Sequence, residues 1–297
     1  MTSPEAAARP EPARLVVILS PENSGSTMLA AALGGHPRVV APPELHLFRH
    51  PDFDVWAQGL PKARASLTWL LDALGEASAG DDLEARYGGW SVADVYRDLL
   101  ARCGASRVLV DKTPAYAREV AVLERIEEFR PFYVWLVRHP LGVLSSNISR
   151  RAIRNQERRE RHPYLPYHLW LDLEKFYDRF TFEDRRLHYW LDVNRRIESF
   201  LEGVPAERSA RVVFEQLVRD PQEELGRLCA ALGLEFDAAM LEPGRHVPKT
   251  LTWGIGSEKA TQHVKMDPRV ADRWRERLDE SRLTPGFRAA MDRFGIC

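Results

Sequence analysis

Residues 15–33 read LVVILSPENSGSTMLAAAL, and the other predicted elements are arranged around these residues. Leu15 to Leu19 is a short apolar run rich in β-branched residues, which predicts a buried strand. Ser20 to Ser26 is small and polar, which predicts a tight turn, and Thr27 to Leu33 suits a helix. A strand, a turn and a helix N-terminus in this order are the opening unit of an α/β fold with a parallel sheet.

The turn has the composition of an anion-binding site. Unpaired N–H groups at the start of a helix, reinforced by the helix dipole, bind phosphate or a similar oxyanion. Ser24, Ser26 and Thr27 add hydroxyl donors, and Gly25 lets the backbone approach a ligand closely. For this stretch alone, an ordinary turn capped by Ser or Thr is the alternative.

The turn also differs from the loop GxxxxGK[ST] that binds nucleoside triphosphates. Ser20 replaces the first glycine of that loop, and Ser26 replaces its lysine. We therefore predict an anion cradle without the lysine that neutralises a β- or γ-phosphate. A P-loop kinase of a small molecule, which would need that lysine and Mg²⁺, stays as an alternative.

The composition limits which other classes of protein the chain can belong to. The 297 residues suit one large α/β domain or two small ones, and the net charge of −1 favours neither nucleic acid nor a membrane surface. Three widely spaced cysteines, Cys103, Cys229 and Cys297, argue against a zinc site or a disulfide framework, and they fit a cytoplasmic protein. We expect residues 1–14 to be a disordered lead and neither a signal peptide nor a membrane anchor.

Charged residues follow two further predicted strands. Glu44 and His46 come shortly after Val39 and Val40, which predicts that they lie near the mouth of the cradle if the sheet is parallel. Lys112 follows the predicted strand 108–110, at the strand end where open α/β sheets bind ligands. A solvated Glu44 and a packed His46 are the alternatives.

A second anion site is predicted after the apolar strand Phe132 to Val137. Arg138 ends this strand, and Pro140 begins a helix. Ser146 and Arg150 lie eight and twelve residues after Arg138, a spacing that places them on one helix face. A face that carries a hydroxyl and a guanidinium can bind a second phosphate.

The remaining segments are mainly helical. Residues 52–102 predict two or three helices that cover the sheet, and RVVFEQL at 211–217 predicts a strand. The basic run 150–161 is either a solvated helix with salt bridges or a lid that docks an acidic partner. The loop after Thr252 either closes over a ligand or lies on the surface.

Together these segments resemble the sulfotransferases that use 3′-phosphoadenosine 5′-phosphosulfate (PAPS). The motifs PENSGSTML, HPRVVAPPELH, VDKTP, LVRHPLGVLSSNISR and VVFEQLVRDP are similar to those of tyrosylprotein sulfotransferases and of curacin-type polyketide synthase sulfotransferase domains. This resemblance implies one P-loop-like α/β domain over residues 15–297, with a central parallel sheet flanked by helices. Helical insertions at about 50–105 and 152–185 and a helical lid would complete it.

The resemblance also implies which residues bind the co-substrate PAPS. The residues that would hold its 5′-phosphosulfate are Asn23, Ser24, Gly25, Ser26 and Thr27. Those that would hold its 3′-phosphate are Arg138, Ser146 and Arg150. Ser257 and Lys265 would close the final loop over the nucleotide, and no metal is implied.

For catalysis, the resemblance implies three residues. Glu44 would be the general base, Lys112 would contact the transferring sulfuryl group, and His263 would be a further active-site group. The acceptor would be a hydroxyl of a small metabolite or of a carrier-bound acyl chain in secondary metabolism. An acidic carrier protein or peptide would present it at residues 150–161.

Asn23 departs from the family pattern, which has a basic residue at this position. Loss of that cation removes a donor to the leaving oxygen, and such a loss costs about 3 kcal/mol of transition-state stabilisation. A nucleotide-binding relic without turnover is therefore a further alternative.

Overall fold

A parallel sheet forms the centre of the chain. The structure is a computed structural model that describes residues 15–59, 61–75, 82–161, 168–169, 172–173, 182–246 and 264–296. Within these ranges the five strands are β1 Leu15–Leu19, β2 Val39–Val40, β3 Val108–Asp111, β4 Phe132–Val137 and β5 Ser209–Val213. Their spatial order is β2-β3-β1-β4-β5, and every neighbouring pair is parallel. All carboxyl ends therefore meet at one edge, with β1 in the middle.

Helices cover both faces of the sheet. The α-helices of the described residues are α1 Ser26–Leu33, α2 Phe53–Ala57, α3 Pro61–Ala73, α4 Leu83–Tyr87, α5 Val92–Cys103, α6 Val120–Glu127, α7 Pro140–Arg161, α8 Phe182–Leu201, α9 Phe214–Arg219, α10 Pro221–Ala231 and α11 Pro285–Arg293. None of these helices has the length and apolar character needed to cross a membrane. The predicted class, α/β with a central parallel sheet and a P-loop-like start, is confirmed.

Side chains of β1 alternate between two apolar cores. Val16 and Ile18 pack with residues of α1, α9 and α10 on one face. Val17 and Leu19 pack with residues of α3, α5, α6 and α8 on the other face. Because both faces are covered, β1 is an uninterrupted apolar run rather than an alternating one. The sheet thus holds the residues that follow β1 in a fixed position.

Several predicted boundaries were wrong. The region 52–102 holds four helices rather than two or three, since Asp52, Asp82 and Ser91 cap α2, α4 and α5 separately. The strand predicted at 211–217 ends at Val213, and its second half is α9. The helical insertion at about 152–185 stays a prediction, and its start lies within the continuous helix α7. The predicted lead, residues 1–14, lies outside the described residues.

Candidate active site

The turn after β1 carries buried polar groups that point to an anion. Ser20 and Ser24 are fully buried, and among the described residues neither hydroxyl has a hydrogen-bond partner. No side chain caps α1, and its first backbone bonds run from Met28 N and Leu29 N to Gly25 O. A buried hydroxyl without a partner costs free energy, and an oxyanion at this helix start would accept from it.

Gly25 makes the turn possible. Its φ of 96° lies in the left-handed region, and a Cβ on Gly25 would lie 2.3 Å from two ring atoms of Phe214. Phe214 begins α9 directly after β5 and is buried. Its ring therefore closes one side of the turn.

We expect Gly25→Ala to destabilise the fold by about 2 kcal/mol or more, because left-handed strain adds to a collision with a buried ring. Gly75→Ala is the matched control, since Gly75 has a φ of 95° and no atom within 4 Å of an added Cβ. Urea unfolding of both variants measures the difference. Equal losses of unfolding free energy in the two variants would show that the Phe214 ring moves aside without a cost in free energy.

Arg138 lies at the end of β4 as a buried cation. Its side chain is 8% exposed, and NH1 donates to Asn23 O at 2.9 Å and to Ser146 Oγ at 3.2 Å. The guanidinium stacks 4.2 Å from the centroid of the Phe214 ring. Its Nε has no partner, and it forms no ion pair with a carboxylate of the described chain. Burial lowers the pKa of Arg138 to about 10, so the group stays charged at neutral pH.

Asn23 is tied to α7. Its Oδ1 accepts from Arg150 NH1 at 2.9 Å, and its Nδ2 donates to Asn147 Oδ1 at 2.9 Å. Its own φ of 67° is left-handed, which asparagine tolerates. A guanidinium therefore reaches the position where the resemblance predicted the loss of a cation.

Lys112 and Glu44 form an ion pair next to the cradle. Lys112 is 2% exposed, and its Nζ lies 2.8 Å from Glu44 Oε1 and 3.3 Å from Thr27 Oγ1. His46 Nε2 lies 3.1 Å from the other carboxylate oxygen of Glu44. The structure thus brings together Thr27, Lys112 and Glu44, which the sequence placed after three different strands.

The pair determines the ionisation of Glu44. Burial raises the pKa of Glu44, but the charge of Lys112 and hydrogen bonds from His46 and Lys112 outweigh burial and lower it to about 2. Glu44 is therefore a carboxylate at all ordinary pH values. An ammonium and a carboxylate beside an anion cradle can neutralise a transferred group and accept a proton from an attacking hydroxyl.

A buried network fixes the loop that carries Glu44. Asp111 accepts hydrogen bonds from Tyr96, from Tyr116 at 2.9 Å and from Thr113 at 3.1 Å. Thr113 Oγ1 also accepts from His46 N at 3.4 Å. Burial raises the pKa of Asp111, while these hydrogen bonds oppose the rise. Because Asp111 is the last residue of β3, this network fixes the position of Lys112 and of the loop that carries Glu44.

The other predicted site residues belong to the final segment of the chain. Ser257 and His263 lie outside the described residues. Lys265 is 75% exposed, and its Nζ lies 3.9 Å from Glu242 Oε1. Over the described ranges, no three side chains of His, Cys, Asp or Glu come together as metal ligands.

Sequence reasoning missed three residues of the site. They are Phe214, whose ring lies against Gly25 and Arg138, together with Asn147 and Glu215. Glu215 Oε1 accepts from His139 N at 3.1 Å, and burial raises the pKa of this carboxyl. A charged residue two positions after the end of β5 was the available signal for Glu215.

Comparisons with known proteins identify a family and two similar structures. A family model described as the sulfotransferase family matches residues 16–238. The sulfotransferase domain of the Synechococcus PCC 7002 olefin synthase is similar at 28% identity and a TM-score of 0.74, with 98% of each chain covered. The sulfotransferase domain from the curacin biosynthetic pathway is similar at 27% identity and a TM-score of 0.71, with 97% of this chain and 99% of that chain covered. Among curated proteins no sequence matches.

Proposed function

The chain belongs to the sulfotransferase family, and from this premise we propose that it transfers a sulfuryl group from PAPS to a hydroxyl acceptor. The family establishes the type of reaction. The donor, the acceptor and the role of each residue are proposed from the geometry of the site.

The observation that carries the donor assignment is the buried charge of Arg138. A buried guanidinium that has no carboxylate in ion-pair contact is costly unless an anion binds it. The charge of Glu215 raises the pKa of Arg138, but burial outweighs it. Its unpartnered Nε and the nearby Ser146 hydroxyl fit the 3′-phosphate. The unpartnered hydroxyls of Ser20 and Ser24 fit the 5′ end of the nucleotide. Two anion sites joined by the contact from Arg138 to Asn23 O match a donor with two phosphate positions.

The proposed backbone and hydroxyl donors to the 5′-phosphosulfate come from Ser24, Gly25, Ser26 and Thr27. Arg150 would reach the donor through its contact with Asn23. We also assign Ser257 and Lys265 to closure of the final loop, which stays a prediction from the sequence.

Lys112 and Glu44 are the proposed catalytic pair. When bound, PAPS supplies the sulfuryl group that is transferred. Lys112 lies between Thr27 of the cradle and Glu44, so its ammonium is placed to stabilise sulfuryl oxygens. Glu44 would accept the proton of the attacking hydroxyl. A shift of Lys112 toward the sulfuryl group would weaken its pairing with Glu44 and raise the proton affinity of that carboxylate. His263 is retained as a third proposed group.

The similar structures support a proposed acceptor class. One belongs to an olefin synthase and the other to the curacin biosynthetic pathway. We therefore propose a hydroxylated small metabolite or a carrier-bound acyl chain as acceptor, in secondary metabolism. Helix α7 exposes the basic run 150–161, which would dock an acidic carrier protein or peptide. Membership of this family disfavours the small-molecule kinase.

Incubation with PAPS and a panel of hydroxyl compounds, followed by mass spectrometry, tests the proposal. The expected result is a product about 80 Da heavier than its acceptor, which is the mass of SO₃. The acceptor hydroxyl would give up its proton and form an O–S bond, while the S–O bond to the departing PAP breaks. Transfer from ATP with Mg²⁺ to the same panel, and none from PAPS, would contradict it.

We expect Arg138→Ala to weaken binding of 3′-phosphoadenosine 5′-phosphate (PAP) by about 1.5 to 3 kcal/mol, because a charge-assisted contact to phosphate is lost. Isothermal titration calorimetry measures the dissociation constant. Arg219→Ala, which removes an exposed guanidinium paired with Asp272, is the control. An unchanged dissociation constant for PAP in a folded Arg138→Ala protein would show that Arg138 is not part of the donor site.

We expect Asn23→Arg to lower kcat or leave it unchanged. Arg150 already contacts Asn23 Oδ1, and Asn147 Oδ1 accepts from Asn23 Nδ2. A second guanidinium would repel Arg150 and Arg138. Turnover of both proteins on one acceptor provides the comparison. An inactive natural protein that gains turnover with Asn23→Arg would instead identify a relic that lacks only its cation.

A further inference from the structure

A basic pocket lies between α7 and α8, apart from the donor site. Its volume is about 430 Å³. It is lined by Arg151, Arg154, Asn155, Arg158, Phe182, Arg185, Arg186 and Tyr189. Five of these eight residues are arginines, so the pocket concentrates positive charge in a concave space.

Three of the five arginines in this pocket lack a carboxylate partner among the described residues. Arg154, Arg158 and Arg186 form no ion pair there. Two acidic residues of the same helices are paired elsewhere, Glu157 with Arg161 and Glu183 with Arg282. Like charges held together raise the free energy of the fold unless an anion binds between them.

Phe182 orders part of the pocket. The guanidinium carbon of Arg151 lies 4.6 Å from the centroid of its ring, and that of Arg186 lies 5.4 Å from it. Such stacking holds the planar donors of arginine in place, which favours bidentate binding of phosphate. The ring also provides an apolar wall for the carbon skeleton of a ligand.

Contacts join the pocket to the cradle. Arg150 precedes Arg151 on α7 and donates to Asn23 Oδ1 at 2.9 Å. Tyr189 of the pocket accepts from Arg118 Nε at 3.1 Å, and Arg118 pairs with Glu22 of the turn after β1. The pocket is therefore connected to the turn that carries the cradle by two routes, one through Arg150 and one through Tyr189 and Arg118.

We propose that this pocket, defined as the arginine pocket by its eight lining residues, binds a phosphate ester group of the acceptor. The proposal rests on the proposed function and narrows its acceptor to phosphorylated compounds. The arginine pocket orients the acceptor, while the donor nucleotide occupies the cradle and the Arg138 site. The phosphate belongs either to a small phosphorylated acceptor or to the phosphodiester of an arm attached to a carrier.

Calorimetric titration of phenyl phosphate into the protein saturated with PAP tests the proposal. Saturation with PAP leaves the arginine pocket as the site for the probe. We expect saturable binding that weakens about tenfold or more in Arg154→Gln/Arg158→Gln, because two charge-assisted contacts are lost. Both arginines are exposed on α7, and retained PAP binding shows that the variant is folded. Arg161→Gln, on the same helix and 69% exposed, is the matched control and should bind as the natural protein does.

Phenyl methyl phosphate, a diester, distinguishes the two sources. Tighter binding of the monoester would indicate that the acceptor is a small phosphorylated compound. Equal binding of the diester would indicate the phosphodiester of a carrier arm. Both results support phosphate binding by the arginine pocket. Binding of neither probe, or equal binding by the double variant, would overturn it. Failure of PAP to bind would overturn the proposed function instead, since the two titrations report on different sites.

Discussion

Glu44→Gln is expected to lower kcat by about 10² or more, with affinity for PAP nearly unchanged. The amide keeps the shape of the carboxylate but cannot accept the proton of the acceptor hydroxyl. It also leaves the ammonium of Lys112, 2% exposed, without its counter-charge. Breaking a buried ion pair in this way costs about 3 to 5 kcal/mol of stability.

A double variant separates the chemical effect from the structural one. Glu44→Gln/Lys112→Met removes both charges, so much of the lost stability should return while turnover stays low. Urea unfolding and single-turnover kinetics with saturating PAPS measure the two quantities. Turnover at the natural level in Glu44→Gln would make Glu44 structural, and His46 or His263 would then be the better base.

Lys112→Met is expected to lower kcat by about 10² to 10³, because a preorganised donor to the sulfuryl oxygens is lost. The same change should alter the dependence of stability on pH. Since the pKa of Glu44 falls from 4.5 to about 2 on folding, its ionisation stabilises the fold above pH 4.5. This contribution, about 3 kcal/mol, is lost as the pH falls from 4.5 through 2.

Unfolding free energies at pH 6 and pH 3 check the second effect. The natural protein should lose more stability between these values than Lys112→Met, which lacks the main cause of the lowered pKa. Lys112→Arg keeps the charge and should retain the pH dependence. Equal pH dependence of stability in the natural protein and in Lys112→Met would show that the ion pair does not set the pKa of Glu44. Unchanged turnover in Lys112→Met would show that Lys112 has no role in catalysis.

The strands of the fold were predictable because each is short, apolar and followed by a polar residue. β1 and β4 were predicted with their observed ends, since an apolar run buried on both faces is bounded by the first polar residue. The boundary between β5 and α9 was not predictable. Val213 and Phe214 are both apolar, and only packing of the Phe214 ring on the cradle distinguishes them.

The site was predictable where residues follow strand ends. Glu44, Lys112 and Arg138 could be placed at one edge because parallel strands end together. The ion pair between Lys112 and Glu44 could not be predicted, because the distance between the two side chains depends on the loop that Asp111 and Thr113 hold in place. The contact of Arg150 with Asn23 likewise requires the orientation of α7, which periodicity does not give. The sequence showed the basic run but not which of its arginines face α8.

Calorimetric titration of PAP and of AMP in the absence of divalent metal tests the central claim most directly. The two nucleotides differ only in the 3′-phosphate, which is assigned to Arg138 and Ser146. We predict that PAP binds without metal and that AMP binds about tenfold or more weakly, because a charge-assisted contact is missing. No binding of PAP, or binding of ATP that requires Mg²⁺ and exceeds that of PAP, would contradict the account.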